Sequence, residues 1–394
     1  MRARRAAEYR VKGDGAQDGR RGLLAARGVR RFPEAKGFVL KLRGVRSWDP
    51  EEDGVLICRR VWNETPDVKT FVFSAPEPRL FEFLPGQFMT WEFEIGGRRI
   101  NRCYTIASSA ARPHTISITV KRVEGGEVSP WLHETLRPGD AVRALGPAGS
   151  FTCAPRPGGK YLFLSGGSGI TPLMAMARSH DDLAGNADIV FVHNARAPFD
   201  IIFRSELAAL ARHHAWFRFV PVCEADSPTE AWHGLRGRLD RKMLALIAPD
   251  LAEREVFTCG PAGYMESVRA MLGEAGFDMA RYHEESFCFA DLAAGTETPP
   301  AVSAAAGEGF RVVFRESDRT IVCAPGAFIL ESALAAGMRL PFSCSQGICG
   351  TCKSRMVSGT VDMHHQGGIR RREIDQGMIL LCCSRPTSDL VIDR

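Results

Sequence analysis

FLSGGSGITP, residues 163–172, decides how the chain is read. The apolar, β-rich run 161–165 meets a glycine-rich turn, and the turn opens directly into helix-forming residues from Thr171. Gly166, Gly167 and Gly169 let the backbone come close to a pyrophosphate. The N–H groups at the start of the following helix suit that charge, and the Thr171 hydroxyl can donate to it. An ordinary strand-to-helix loop looks similar in isolation, so the surroundings carry the weight.

Downstream, YLFLS, IVFVHN, FRFVPV and EVFTCG alternate with helical segments beginning near Thr171, Phe203, Asp240 and Gly263. That rhythm predicts a parallel sheet with crossover helices, closed by a last strand in RYHEESF at 281–287. Upstream the rhythm differs. VLICRRV, VKTFVFSA, FMTWEFEI, CYTIAS, HTISITVKRV and AVRALG are short β-rich runs separated by the turn clusters LPGQ, EIGG and EGGE, which predicts an antiparallel barrel. Past residue 290, the stretch 291–307 is small, Pro-containing and poor in large apolar groups, as a linker is. A hairpin of FRVVFRES and TIVCA follows, then a helix near 328–336, a Cys/Gly loop, and strands in MILLCC and DLVID.

That last loop carries FSCSQGICGTCKS, with Cys344, Cys349 and Cys352 in the order C-x4-C-x2-C and Cys382 after a further 29 residues. Four thiolates make a full ligand set for a two-iron cluster, and the spacing is that of plant-type ferredoxins. Gly347 and Gly350 allow the loop to wrap closely, with backbone N–H groups toward the sulfurs. Zinc is better served by two paired C-x2-C knuckles. Cys383 competes with Cys382 on proximity alone. Strand alternation would turn Cys383 to the opposite face, and CCSRPTSDLVID resembles the end of plant-type ferredoxins, where the ligand lies four residues before the proline, here Cys382.

The chain has 394 residues, 45% apolar and 25% charged, which suits two or three globular domains. Its net charge of +5 is uneven: residues 1–46 hold fourteen Lys or Arg against four acids, so the rest is net acidic. A nucleic-acid-binding fold is therefore not expected. No apolar run is long enough for a membrane span, and the basic start lacks the apolar stretch of a secretory signal. A cytoplasmic protein is expected, with residues 1–48 as a disordered basic tail. Twelve cysteines without a secretion signal point to metal or redox work rather than disulfides.

RCYT at Arg102–Thr105 follows the turn PGQF and resembles the Arg-x-Tyr-Ser/Thr signature of the ferredoxin–NADP⁺ reductase superfamily. With ISITVKR, GGEVSPWLH, NARAPFDIIF, CGPAGYM and MILLCCSRP, the chain resembles flavodoxin/ferredoxin reductases with a fused C-terminal ferredoxin. Hybrid-cluster-protein reductases and glycine-betaine-type demethylase reductase subunits look most alike. The resemblance implies a multidomain α/β plus β fold: an antiparallel flavin-binding β-barrel (49–152), a parallel α/β nucleotide-binding domain (153–290), the linker, and a β-grasp ferredoxin domain (308–394).

It also implies cofactors and roles. FAD is favoured over FMN, with Arg102 on a flavin phosphate, Tyr104 along the ring and the Thr105 hydroxyl on flavin N5. Val120, Lys121, Gly126, Val128 and Ser129 are the further flavin candidates, Ser129 serving also as a plausible N-cap. Cys259, Gly260 and Pro261 form the second nucleotide loop, where the thiol of Cys259 is a polarisable wall rather than a nucleophile. Arg196 and Arg204 suit an adenosine 2′-phosphate, whereas Asp200 suits a ribose 2′-OH; the balance leans to NADH over NADPH. Phe287 and the nicotinamide are both candidates to cover the flavin ring.

Electrons are then expected to pass from NADH to FAD to the 2Fe-2S cluster and on to a partner, either a Rieske-type oxygenase or demethylase or a hybrid-cluster protein. The rival reading is an iron–sulfur redox sensor, which would need an output domain, and the only spare segment is the basic tail. A self-sufficient oxygenase would need a haem or mononuclear-iron module, and none is left unassigned.

Overall fold

The computed structural model describes residues 45–50, 52–155, 159–185, 187–286, 309–338, 340, 342, 347, 350–365 and 368–394. The expectations for residues 1–44, for the linker 291–307, for Phe287 and for Cys344 and Cys349 lie outside these residues.

The first unit is antiparallel. Strands β1 (Val55–Thr65), β2 (Val68–Ser74), β3 (Phe88–Ile95), β4 (Arg98–Thr105), β5 (Ile116–Lys121) and β6 (Ala141–Ala148) pair in the order β4-β3-β6-β1-β2-β5. Alternation drives it: Phe71, Phe73, Trp91, Phe93, Ile116 and Ile118 turn inward to one core. The two edges meet where Ala107 N–H donates to the Ser117 carbonyl (2.8 Å), which closes the sheet into a barrel. Helix α1 (Val128–Glu134) connects β5 to β6.

The second unit holds β7 (Lys160–Gly166), α2 (Ile170–Asp182), β8 (Asp188–Ala195), α3 (Arg204–His213), β9 (Phe217–Cys223), β10 (Leu235–Arg236), α4 (Arg241–Ile247), β11 (Glu255–Gly260), α5 (Ala262–Glu274) and β12 (Tyr282–Ser286). All six strands are parallel, in the order β10-β9-β8-β7-β11-β12. Both faces are buried, so the strands read as near-continuous apolar runs. Phe163, Phe191 and Phe257 pack under α2 and α3, while Leu162, Leu164, Val190 and Val256 pack under α4 and α5. Asp240 starts α4 by accepting the Met243 N–H (2.8 Å), as an N-cap should. Strand order reverses between β7 and β11. At such a switch point the strand ends leave a crevice open to ligands.

The C-terminal unit contains β13 (Phe310–Phe314), β14 (Arg319–Cys323), α6 (Ile329–Ala335), β15 (Lys353–Ser358), β16 (Val361–Met363), α7 (Arg371–Asp375), β17 (Met378–Leu380), β18 (Ser384–Pro386) and β19 (Leu390–Asp393). Its mixed sheet runs β14-β13-β19-β15-β17 against α6, beside the ribbon β16-β18. One strand differs from the sequence reading. MILLCC ends its ladder at Leu380, because the partner strand β15 only begins at Lys353, opposite Leu380. Residues Leu381–Cys383 turn into a 3₁₀ helix instead. Among the described residues no helix is long and apolar enough to cross a membrane.

Candidate functional site

The β3–β4 hairpin sets out the flavin signature. Trp91 stands opposite Arg102, Met89 opposite Tyr104 and Phe88 opposite Thr105. Arg102 is half-buried and donates to the carbonyl of Asn101 (2.8 Å), leaving most of its guanidinium donors for other partners. Burial pushes the Tyr104 phenol up, so it stays a neutral donor. Thr105 is buried, and its hydroxyl has no hydrogen-bond partner among the described residues. A buried hydroxyl left alone is costly, so a ligand atom that accepts from it fits this position. That is the property a flavin ring nitrogen offers, and the strand therefore fits FAD.

The remaining flavin candidates fall less evenly. Val120 and Val128 are core side chains of the barrel, and the Val120 carbonyl accepts from His133 Nε2 (2.9 Å). Lys121 pairs with Asp67 (3.3 Å). Ser129 is not the N-cap: Glu127 holds that position and reaches Arg98, while the Ser129 hydroxyl accepts the Val123 N–H (3.0 Å). Gly126 is needed for the same tight fold, since a Cβ there would lie 3.0 Å from the Val123 carbonyl oxygen.

At the switch point two glycine loops close on each other. A Cβ on Gly169 would stand 2.3 Å from the Cys259 carbonyl oxygen, and one on Gly260 would stand 2.7 Å from the Tyr264 ring. Gly167 has φ +53° with open space beside it, so its backbone is the accessible part of the cradle. Gly166 ends β7, and Pro261 stands as the N-cap of α5. Thr171 is buried, and its hydroxyl donates to the Ser168 carbonyl (3.3 Å).

Pairing across the ends of β8, β7, β11 and β12 aligns His193, Ser165, Cys259 and Glu285 in register. Residues in register on parallel strands share a face, so these four form one polar row. His193 Nδ1 and the Ser165 hydroxyl lie 2.8 Å apart. Burial holds the His193 imidazole down to about 3, so it is neutral, and its Nε2 has no partner among the described residues. Burial also pushes the Cys259 thiol well above its ordinary range, with Glu285 adding to the shift. A thiol held protonated is a poor nucleophile. Glu285 has a carboxyl pushed up to about 8 by burial, and its Oε2 is buried without a partner among the described residues. Ser165, His193 and Glu285 escape sequence reading. Glu285 looks like a solvated charge in RYHEESF, and only strand pairing puts it opposite Cys259.

For the adenosine end, Asp200 is buried and paired with Arg196 (3.1 Å), which also bridges Asp67 (3.5 Å) and is 66% exposed. Arg204 is engaged by Glu230 through two contacts of 2.7 and 2.6 Å.

On the C-terminal unit, Cys352 and Cys382 are buried side by side. Cys382 N–H points to the Cys352 sulfur (3.5 Å), and Gly347 N–H points to the Cys382 sulfur (3.2 Å). Backbone donors on thiolate sulfur are what an iron–sulfur site requires. Gly347 and Gly350 take φ +71° and +68°, and the Thr351 hydroxyl next to Cys352 is buried without a partner among the described residues. Among the described residues, Cys352 and Cys382 with their backbone donors fit one part of a 2Fe-2S site. Cys383 is separated from Cys382 by the 3₁₀ turn rather than by strand alternation, and its thiol donates to the Leu380 carbonyl (3.7 Å).

Comparisons with known proteins agree with this layout. A model of oxidoreductase FAD-binding domains matches residues 59–153, one of oxidoreductase NAD-binding domains matches 163–270, and one of 2Fe-2S iron-sulfur cluster binding domains matches 313–387. The glycine betaine monooxygenase reductase subunit of Pseudomonas aeruginosa is 46% identical over 345 residues, spanning 85% of this chain and 94% of that protein. The stachydrine N-demethylase reductase subunit of Rhizobium meliloti is 42% identical over 323 residues, spanning 82% and 91%. Among solved structures, phthalate dioxygenase reductase aligns with a TM-score of 0.52 at 25% identity, over 88% of this chain and 100% of that one. The chain is an oxidoreductase with FAD, NAD and 2Fe-2S domains in that order, and it belongs to the ferredoxin–NADP⁺ reductase superfamily, in the branch that carries a fused C-terminal ferredoxin.

Proposed function

We propose that the protein is the NADH-dependent reductase of a two-component oxygenase system in the cytoplasm, delivering electrons to a Rieske-type oxygenase or demethylase that acts on a quaternary ammonium compound. The observation that carries a serial path is one contact: the Asn101 amide, next to Arg102 on the flavin strand, donates to the Gly350 carbonyl between two cluster cysteines (3.2 Å). Flavin signature and cluster loop are thereby neighbours. The domain limits proposed above, 49–152, 153–290 and 308–394, follow the same division.

When bound, FAD accepts a hydride as an electron pair and gives up electrons singly, which the two-iron cluster can carry. The chain's own part is to position and to tune. In this reading Gly166, Gly167, Gly169 and Gly260 bring backbone N–H groups to the nucleotide phosphates, and Arg102 meets the flavin phosphate. The Thr105 hydroxyl donates at the ring, and Cys259 excludes water beside it. Glu285 holds a proton at neutral pH and can supply it at the buried Oε2. Asp200 supports NADH: its carboxylate suits a ribose 2′-OH, and Arg204 is already engaged by Glu230. The choice of oxygenase rests on the names of the relatives, a glycine betaine monooxygenase reductase subunit and a stachydrine N-demethylase reductase subunit.

The test uses reconstituted protein with NADH. Ferricyanide and cytochrome c should both be reduced, and Cys349→Ser should lose iron and cytochrome c reduction while keeping ferricyanide reduction. Paired with an oxygenase of the betaine-demethylating class and an N-methylated betaine, dioxygen and NADH should yield the demethylated amine and formaldehyde. Intact cytochrome c reduction with no formaldehyde from any such oxygenase would point to a different acceptor.

A further inference from the structure

A single buried arginine fastens the C-terminal unit to the barrel. Arg370 precedes α7 and is 4% exposed. Its Nη2 donates to the Ala144 carbonyl on β6 (2.8 Å), and its Nε donates to the Pro50 carbonyl (3.2 Å). The barrel makes room for it: a Cβ on Gly54 would lie 3.1 Å from that Nη2. A guanidinium so buried is tolerated only when its donors are met, and here the partners outside its own unit are backbone oxygens fixed by the barrel.

Behind the arginine a charged chain leads to the cluster loop. The Arg370 N–H donates to Glu373 Oε2 (2.8 Å), and Nη1 lies 3.9 Å from Glu373 Oε1. Glu373 Oε1 in turn takes Lys353 Nζ at 2.7 Å, with both side chains largely buried. Lys353 directly follows Cys352, and its N–H donates to the Gly350 carbonyl (3.2 Å). That same carbonyl accepts from Asn101 on β4. Two separate points of the barrel, β4 and β6, are thus tied to one stretch of the cluster loop.

We propose that Arg370 is a positioning residue, a latch that holds the 2Fe-2S unit docked on the flavin barrel, and that electrons cross between the two in this docked arrangement. The proposal rests on the serial reading given above. Without the latch the Asn101–Gly350 contact remains, and the productive contact of the cluster unit with the barrel falls toward what tethering provides. The arginine is not needed to hold the cluster or the flavin, so its loss separates positioning from loading.

Arg370→Ala and Arg370→Lys approach the latch from the cluster side, and Gly54→Leu approaches it from the barrel side. Small-angle scattering should show a larger radius of gyration for Arg370→Ala and Gly54→Leu, with Arg370→Lys between them and the parent protein. Stopped-flow absorbance should show flavin reduction by NADH at the parent rate and cluster reduction slowed by at least about tenfold. Iron and flavin content should be unchanged. Should Arg370→Ala lose iron, Gly54→Leu decides: extended scattering with iron retained supports the latch, and parental scattering overturns it. Parental rates of cluster reduction in both variants overturn it as well. A parent protein whose cluster NADH never reduces would sink the serial reading instead, while the scattering comparison still judges the latch.

Discussion

Glu285 faces Cys259 across the β11–β12 ladder, one strand beyond the β7–β11 step where the sheet order reverses. Its carboxyl, pushed up to about 8 by burial from an ordinary 4.5, keeps its proton at neutral pH. The folded state therefore binds a proton that the unfolded state has released between those two values. The Glu285 contribution to stability is full below 4.5 and is lost as pH rises toward about 8. Glu285→Gln should remove that part of the pH dependence, read as melting temperature against pH. The rate of flavin reduction by NADH should fall as pH rises through about 8 in the parent protein and stay flat in the variant. A parental profile in Glu285→Gln would take Glu285 out of the reaction.

The two glycines of the phosphate turn should respond differently to alanine. At Gly169 the new methyl would meet the Cys259 carbonyl at 2.3 Å, and backbone cannot step aside. Gly169→Ala should cost roughly 1–3 kcal/mol of stability and raise KM for NADH sharply. At Gly167 nothing lies in the way, and the penalty is the left-handed φ of +53°, on the order of 1 kcal/mol. Thermal unfolding and NADH saturation curves of the two variants separate the causes.

Cys382 and Cys383 can be told apart by iron. The Gly347 N–H is directed at the Cys382 sulfur, while Cys383 spends its thiol on the Leu380 carbonyl. Cys382→Ser should lose the cluster absorption, and Cys383→Ser should retain it with two irons per chain, consistent with a four-cysteine site. Iron retained in Cys382→Ser and lost in Cys383→Ser would reverse the ligand assignment.

Thr105→Ala offers an unusual sign. Its hydroxyl is buried without a partner among the described residues, so deleting it removes an unmet polar group. Stability of the flavin-free protein should hold or rise, by about 1 kcal/mol at most, because no protein hydrogen bond is lost. With flavin loaded, the same change should slow reduction by NADH, and Thr105→Ser should restore it. Melting curves with and without FAD, beside stopped-flow rates, provide the check.

Local chemistry made much of this legible in the chain. RCYT, the 163–172 turn and the cysteine spacing are short motifs whose function depends on neighbours in sequence, and the alternation of β-rich and helical runs follows burial on one face or two. What stayed hidden depends on pairing between distant strands. Ser165, His193 and Glu285 join Cys259 only through the order β8-β7-β11-β12, and Arg370 finds Ala144 only through docking of two units. Thr171 adds a local detail that the motif does not show, its hydroxyl donating to the Ser168 carbonyl.

Docking also changes what the 291–307 segment should do. Read as a linker alone, its length would set how often the cluster reaches the flavin, and shortening it would slow cytochrome c reduction. With Arg370 buried against Pro50 and Ala144, the docked contact rather than the tether governs that step. Extending the segment with Gly-Ser residues should therefore leave cytochrome c reduction unchanged in the parent protein. In an Arg370→Ala background the same extension should slow it, because effective concentration falls with the length of a flexible tether. The two changes are coupled, and a double-variant cycle measures the coupling directly. Equal slowing by the extension with and without Arg370 would mean that the cluster unit moves freely and that the buried arginine does not govern its approach.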